Sequence, residues 1–544
     1  MDAINKKIIF GIFSQNKSMA AAMLGALAHK LGWDVDIVFF PLESSPEDVL
    51  DELEYFPDIF ALSFASYNRA QAFSVAKVLK ERGIKVIGGG IHATAMPQDL
   101  VKTGYFDAVM YGDGMGSLEE VLLNYEDLRD SVIVEGRKHP DERVYLDYFF
   151  SESQEKVLRE TQKIDLLTSY GCPFGCTFCA SSRKKFMKFP DDYMVDSMID
   201  IHDRYGVKIF TFQDDLLFND VKRVKRVSER LSNLPADKSI NFGKSANCRA
   251  SSFSDSLAEE IKKLNITDVS FGIESASNKL LKFLNKKQTE EDCYRALEVC
   301  KRHGLYSRIN LMFGIPTQDE EDYQITFEFV RKAKPDIINT FYYTPYPGTD
   351  LYDYCFDNGY ISSEYDRNRF DWFDAKVDGI REVHLKLNNV DYHMADKYIN
   401  KIKKLYDPLN FISPIIAELD KQPWIIFGSS TQIYFSQVLS LLNEIDKKNC
   451  LGYYDIDPGA EYAVERRVEF SKYMENSSLQ PDCIVTYTHL SSEDYKNFKE
   501  LVNRKFGDIP LVSISTMERH SLEEVRNMLA NYKDSLIASK EGTQ

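Results

Sequence analysis

Cys172, Cys176 and Cys179 lie in the run Gly171-Cys172-Pro173-Phe174-Gly175-Cys176-Thr177-Phe178-Cys179, a C-x3-C-x2-C triplet. Gly171, Pro173 and Gly175 interrupt regular structure, which predicts a tight loop. Glycine lets such a loop curl closely around a bound object, so that the thiolates converge on it. Three thiolates are one short of the four that usually hold an iron–sulfur cube. A cube held by three has one open iron, where a substrate or cofactor can bind directly. A structural zinc ion would need a fourth protein ligand, usually from a second short Cys/His cluster. Only distant Cys or His residues could supply it.

Further groups able to do chemistry follow at intervals. They are Gln213-Asp214-Asp215, Asn247-Cys248-Arg249, Glu274-Ser275, Gly314-Ile315-Pro316 and the run Thr344-Pro345-Tyr346-Pro347-Gly348-Thr349. Each follows an apolar run that reads as a strand. The runs are 208–212, 241–246, 268–272, 307–313 and 336–343, and 164–168 leads into the cysteines. Helix-length stretches at 221–231, 256–264, 289–303 and 319–333 separate them. Six such units predict a partial (βα)6 barrel, in which reactive groups gather at the carboxyl ends of the strands.

The triplet, with Phe178 just before its third cysteine, resembles the cluster loop of radical SAM enzymes. The order of the later motifs extends the resemblance over most of 164–349. It implies a [4Fe–4S] cluster on Cys172, Cys176 and Cys179, with S-adenosylmethionine (SAM) chelating the open iron. One electron from the cluster then cleaves SAM to methionine and a hydrogen-abstracting 5′-deoxyadenosyl radical. With SAM as ligand, Asp214 or Asp215 suits its amino group. Arg249 offers a planar fork to its carboxylate. Glu274 resembles the family's motif near the ribose and can accept two hydroxyl hydrogen bonds. The segment 311–316, with Gly314, resembles the one flanking adenine. Any one carboxylate alone is more often a solvated loop charge; a set at successive strand ends points to SAM. Cys355, just past the barrel, is a candidate hydrogen-atom donor. Cys293 and Cys300, seven apart on one helix face, read as core.

Residues 1–130 alternate five short apolar runs with helical periodicity, which predicts a parallel, Rossmann-like sheet covered on both faces. Its strand ends carry Ser14-Gln15-Asn16, Ser63, Gly88-Gly89-Gly90-Ile91-His92-Ala93-Thr94 and Gly112-Asp113-Gly114. Ligands bind such sheets at the carboxyl ends. The domain resembles the cobalamin-binding domain found ahead of many radical SAM enzymes. The resemblance implies cobalamin contacts from Ser63, Gly89, Gly90, His92, Thr94, Gly112 and Gly114. It lacks the Asp-x-His-x-x-Gly element that supplies a cobalt-ligating histidine elsewhere, as is common in this subgroup. A domain kept only for packing is the alternative.

Residues 131–160 read as a linker, 161–390 as the barrel and 391–544 as a small open α/β domain. In the last, a strand ending at Gly428, a helix over 433–445 and Asp455 to Asp457 after a second strand hint at a nucleotide site. The full Gly-x-Gly-x-x-Gly pattern is missing, so a lid, a recognition module or a dimer contact fits better.

The 544 residues carry a net charge of −17, which argues against nucleic acid or an anionic membrane as partner. No apolar run is long enough to span a membrane. Nine cysteines, an odd number with three together, fit a metal site in a reducing compartment rather than a disulfide scaffold. The expectation is a cytoplasmic enzyme working without oxygen. Arg183, Lys184, Lys185 and Lys188 form a basic run after the cysteines. They are either a solvated face or a docking patch for an acidic flavodoxin or ferredoxin-type electron donor. The combination of domains implies cobalamin-dependent methylation of an unactivated carbon in a small molecule. Oxidative cyclisation or ring rearrangement on the same scaffold is a second possibility, and a non-catalytic SAM or cluster sensor a third.

Overall fold

The computed structural model describes residues 6–405 apart from 14–17, 42–43, 54, 129–130, 138–146, 184–185, 219, 236–237, 239, 244 and 365–385. Beyond 405 it describes four strands and residues 527–531. The chain divides into two units, Met1–Asp396 and Lys397–Gln544.

The first unit opens with six parallel strands: β1 (Lys7–Phe13), β2 (Asp34–Phe40), β3 (Ile59–Ser63), β4 (Lys85–Gly89), β5 (Ala108–Gly112) and β6 (Val132–Gly136). Their order is β2-β1-β3-β4-β5-β6. The inner strands are almost wholly buried, because helices cover both faces and no residue can alternate toward water. Helix Met19–Lys30 is capped by Ser18, whose Oγ accepts the Ala21 N–H at 3.2 Å. β6 lies in the stretch expected to be linker. It is a five-residue edge strand with Val132 and Ile133 exposed, so burial left no alternation to read. The same stretch holds helix Glu152–Thr161, with Ser151 at its cap.

The barrel follows. β7 (Lys163–Leu166) leads to the cysteine loop. That loop is closed at its base by an antiparallel pair, β8 (Ser169–Tyr170) and β9 (Met187–Lys188). β10 (Ile209–Phe212) lies between β7 and β11 (Asn241–Phe242). A second sheet runs β12 (Ser245–Cys248), β13 (Asp268–Glu274), β14 (Tyr306–Phe313) and β15 (Ile337–Tyr342), all parallel. The third predicted strand is therefore two: β11 pairs with β10, and β12 with β13. Gly243 marks the break. A Cβ there would stand 2.3 Å from Thr211 Cγ2, so only glycine lets the chain cross so close to β10.

Period-two alternation sorts the side chains of β13, β14 and β15. Val269, Phe271, Ile309 and Leu311 pack in the core. Ser270, Asn310 and Asn339 form a polar ladder instead: Asn339 donates to Asn310 Oδ1 at 2.9 Å and Asn310 to Ser270 Oγ at 3.4 Å.

The two halves of this unit share one core. Met96, from the first sheet's side, is buried with Leu280, Leu284, Met312, Ile315 and Tyr343 of the barrel. Gly348 sits against Ala95, where an added Cβ would lie 3.1 Å from the alanine Cβ.

In the second unit β16 (Trp424–Gly428), β17 (Cys450–Asp455), β18 (Cys483–Tyr487) and β19 (Leu511–Ser513) make a parallel sheet in the order β17-β16-β18-β19. This is the order of the first four strands of the chain. The helix expected over 433–445 and Asp457 lie outside the described residues. No helix among the described residues is long and apolar enough to cross a membrane.

Candidate active site

The cysteine loop is shaped by distant parts of the barrel. Thr177 N–H donates to Leu284 O at 3.1 Å, Leu351 N–H donates to Thr177 O at 2.8 Å, and Asn285 Nδ2 donates to Gly175 O. Below the loop, Phe189 N–H bonds Thr168 O at 3.0 Å. Cys176 is buried, while Cys172 and Cys179 are partly open. Burial, reinforced by the negative charge of Asp215, holds the Cys172 and Cys179 thiols above their ordinary pKa. Among the described residues no three His, Cys, Asp or Glu side chains gather closely enough to hold a single metal ion. A four-iron cube does not ask them to, since each thiolate takes its own iron.

The two neighbouring aspartates behave differently. Asp214 is 1% exposed. Its carboxylate accepts the Thr168 N–H at 2.9 Å, the Thr168 hydroxyl at 2.7 Å and the Ser169 hydroxyl at 2.6 Å. Its oxygens are spent tying the end of β10 to the start of the loop, which corrects the expectation that it could serve SAM. Burial raises its pKa, and those hydrogen bonds and Arg223 oppose the rise. Asp215 is exposed and close enough to Cys172 and Cys179 to act on both.

Arg249, at the end of β12, is 7% exposed. Its guanidinium carbon lies 3.8 Å from the centre of the Phe174 ring, a cation–π contact. Nε donates to Ser251 Oγ at 3.1 Å and Nη1 to Cys176 Sγ at 3.9 Å. Nη2 is buried with no hydrogen-bond partner, and such groups are rare in folded proteins.

Glu274 ends β13 at a register shift and holds φ of +65°. A bulky residue adopts this left-handed conformation only when its surroundings enforce it. The carboxylate folds back over Gly272, where a Cβ would lie 2.5 Å from Oε1, and meets Lys286 Nζ at 3.5 Å. Burial raises the Glu274 pKa and Lys286 opposes the rise. Lys286 is itself buried and stands 5.8 Å from the centre of the Phe178 ring. Its turn is shaped by Asn285 and Lys287, both with positive φ. Gln288 Nε2 donates to Ile273 O at 3.3 Å, while its Oε1 is buried without a partner. Lys286, Gln288 and Phe174 escaped the sequence reading, because Asn285-Lys286-Lys287-Gln288 has the composition of a surface turn. Gly314, φ +71°, packs against Tyr392.

Two expectations fail on geometry. Cys355 is 0% exposed in the apolar core around Met96, with Tyr343 Oη 3.8 Å away and its thiol pushed up to about 12 by burial. It has no face toward a substrate. His92 is 0% exposed, with Nδ1 2.9 Å from Ser66 Oγ and Nε2 3.0 Å from Asp99 Oδ2. Both nitrogens are engaged inside the first domain, so it is not a pocket contact.

The rest of that strand-end set is a frame of backbone turns. Gly90 and Gly112 have φ of +94° and +82°. Thr94 Oγ1 donates to Gly90 O at 2.9 Å and accepts the Gly112 N–H at 3.3 Å. Ser63 and Gly89 end their strands, and Gly114 opens the next helix against Leu24. Tyr67 and Ile91 are exposed beside them, and Tyr346 of the barrel is exposed as well.

The radical SAM superfamily model matches residues 166–330, and the B12 binding domain model matches 10–122. Residues 166–330 are a radical SAM domain. The chain carries a B12-binding domain ahead of it. It is 27% identical over 328 residues to the uncharacterized methyltransferase PH0819 of Pyrococcus horikoshii, covering 56% of this chain and 71% of that one. It is 25% identical over 364 residues to the anaerobic magnesium-protoporphyrin IX monomethyl ester cyclase of Rubrivivax gelatinosus, covering 59% and 63%. Among solved structures it shares the fold of the cobalamin-dependent S-adenosylmethionine radical enzyme OxsB. There the TM-score is 0.55 at 14% identity, over 99% of this chain and 81% of that one.

The cofactors of this radical SAM protein are a [4Fe–4S] cluster, SAM and cobalamin. The site fits them. Three thiols share one loop, the unpartnered Arg249 Nη2 suits a carboxylate, and exposed Tyr67 and Ile91 suit a flat macrocycle over glycine turns.

Proposed function

We propose that the protein methylates an unactivated carbon of a small-molecule substrate. When bound, the cluster supplies the electron that splits SAM into methionine and a hydrogen-abstracting radical, and cobalamin supplies a methyl group taken from a second SAM. An sp3 carbon has no lone pair with which to attack a methyl donor, so hydrogen must leave first. The observation that carries this reading is the core shared through Met96, with Ala95 against Gly348. It sets the strand ends of the B12-binding domain beside the barrel mouth, so that a short-lived substrate radical has its methyl source at hand.

In this reading Cys172, Cys176 and Cys179 hold the cluster. Arg249 takes the SAM carboxylate, and Asp215 takes the amino group in place of Asp214. Glu274, held by Lys286, serves the ribose hydroxyls, and the turn at Gly314 flanks adenine. Ser63, Gly89, Gly90, Thr94, Gly112 and Gly114 form the floor for cobalamin. The enzyme is placed in the cytoplasm, with a flavodoxin or ferredoxin-type donor. Of the basic run proposed to meet that donor, Lys188 pairs with Asp220 at 3.1 Å. Lys184, Lys185 and the Arg183 side chain lie outside the described residues. The relative named as a cyclase keeps oxidative cyclisation as the second reading.

Product analysis separates the two. Anaerobically reconstituted protein is incubated with SAM, cobalamin, a low-potential reductant and candidate small molecules. Methylation releases S-adenosylhomocysteine and 5′-deoxyadenosine in equal amounts, and deuterium from methyl-labelled SAM enters the product. 5′-Deoxyadenosine alone means cyclisation or rearrangement. A four-iron protein that releases neither is no such enzyme.

A further inference from the structure

Four Arg or Lys residues are deeply buried among the described residues: Arg69, Arg223, Arg249 and Lys286. Three have carboxylate partners, Arg69 with Asp99, Arg223 with Asp191 and Lys286 with Glu274. Arg249 has none among the described residues. A buried, unpaired cation is costly unless something compensates it. Its described neighbours are a ring face, a serine hydroxyl and the sulfur of Cys176. Ser251 fixes Nε and Phe174 fixes the plane, so Nη1 is aimed at the sulfur while Nη2 points elsewhere. The fork thus has two separate tasks.

We infer that Arg249 sets the reduction potential of the iron–sulfur cluster, through the hydrogen bond from Nη1 to Cys176 Sγ, independently of any carboxylate taken by Nη2. The inference rests on Cys176 being a cluster ligand, as proposed above. Hydrogen bonds to the sulfurs and nearby charge are among the main determinants of such potentials. The event is the uptake of one electron by the oxidised cluster from a low-potential donor, dithionite in the experiment, with no bond made or broken. A fixed positive charge beside one ligand favours the state carrying that extra electron. Burial against Phe174 keeps water from screening it.

The test is an anaerobic redox titration of the full-length, reconstituted protein followed by electron paramagnetic resonance, without SAM. Arg249→Met is expected to have a more negative midpoint. At the wild-type midpoint its ratio of reduced to oxidised cluster should fall about tenfold, a shift of about 59 mV for one electron. Arg249→Lys, which keeps charge but not the aimed fork, should fall between. Ser251→Ala, which frees Nε, should shift the same way by less. Arg249→Met titrating with wild type at equal iron content overturns the inference. Should Arg249→Met hold no cluster, Arg249→Lys and Ser251→Ala decide: a negative shift in both supports the inference, and coincidence with wild type overturns it. Wild-type protein with no four-iron cluster would sink the proposed function instead. A wild-type cluster that cleaves SAM but is indifferent to Arg249 sinks only this inference.

Discussion

Asp214 and Asp215 are adjacent in sequence and opposite in circumstance. One accepts three hydrogen bonds at the root of the cysteine loop and the other faces open space beside the thiols. Asp214→Asn loses an acceptor among buried donors, which costs about 1–3 kcal/mol. It should lower the thermal midpoint and reduce iron uptake. Asp215→Asn should leave the melting curve alone and weaken SAM binding about tenfold, as expected for one charge-assisted hydrogen bond. Calorimetry on both variants checks the split; equal effects of the two would refute it. The sequence names the right pair here but cannot say which member turns inward, because that depends on Thr168 and Ser169, 46 and 45 residues earlier. His92 misled for a similar reason. A histidine after three glycines looks like a ligand until Ser66 and Asp99 are seen to hold both nitrogens.

At the scale of the element, periodicity was a good guide and pairing was not. Apolar runs locate nearly every strand that positions the site. The division of one run into β11 and β12 is invisible in them, since it arises from the approach of Gly243 to Thr211 on another strand. β6 escaped because an exposed edge strand carries no buried stripe. Gly243→Ala forces a Cβ to within 2.3 Å of the Thr211 methyl. Overpacking of this kind costs about 1–3 kcal/mol. The variant should lose that much by denaturant unfolding, and Thr211→Ser in the same chain should recover part of it by removing the clashing methyl. No recovery would show that the strain lies elsewhere.

Across the first unit, the B12-binding domain and the barrel are joined by apolar packing around Met96. Nothing in the local pattern around Met96 announces this, because Gly88 to Pro97 reads as a ligand-binding turn and its outer face has no visible partner. Met96→Ala should cost about 2–5 kcal/mol, as for other buried methionines truncated in a core. Its telling effect is on cooperativity. Wild type should melt its first unit in one transition, whereas the variant should separate into two, with SAM cleavage retained and methyl transfer falling. One unchanged transition with methyl transfer intact would show that this contact does not couple the domains.

The cysteine loop takes its shape from Leu284, Asn285 and Leu351, the last of them 172 residues beyond Cys179. During synthesis the three sulfurs therefore leave the ribosome long before the pieces that mould them. Iron delivered at that moment would find a slack tether with no fixed spacing. Loading should wait until the chain is made past Leu351, so that cluster insertion follows the closing of the barrel rather than the emergence of the cysteines.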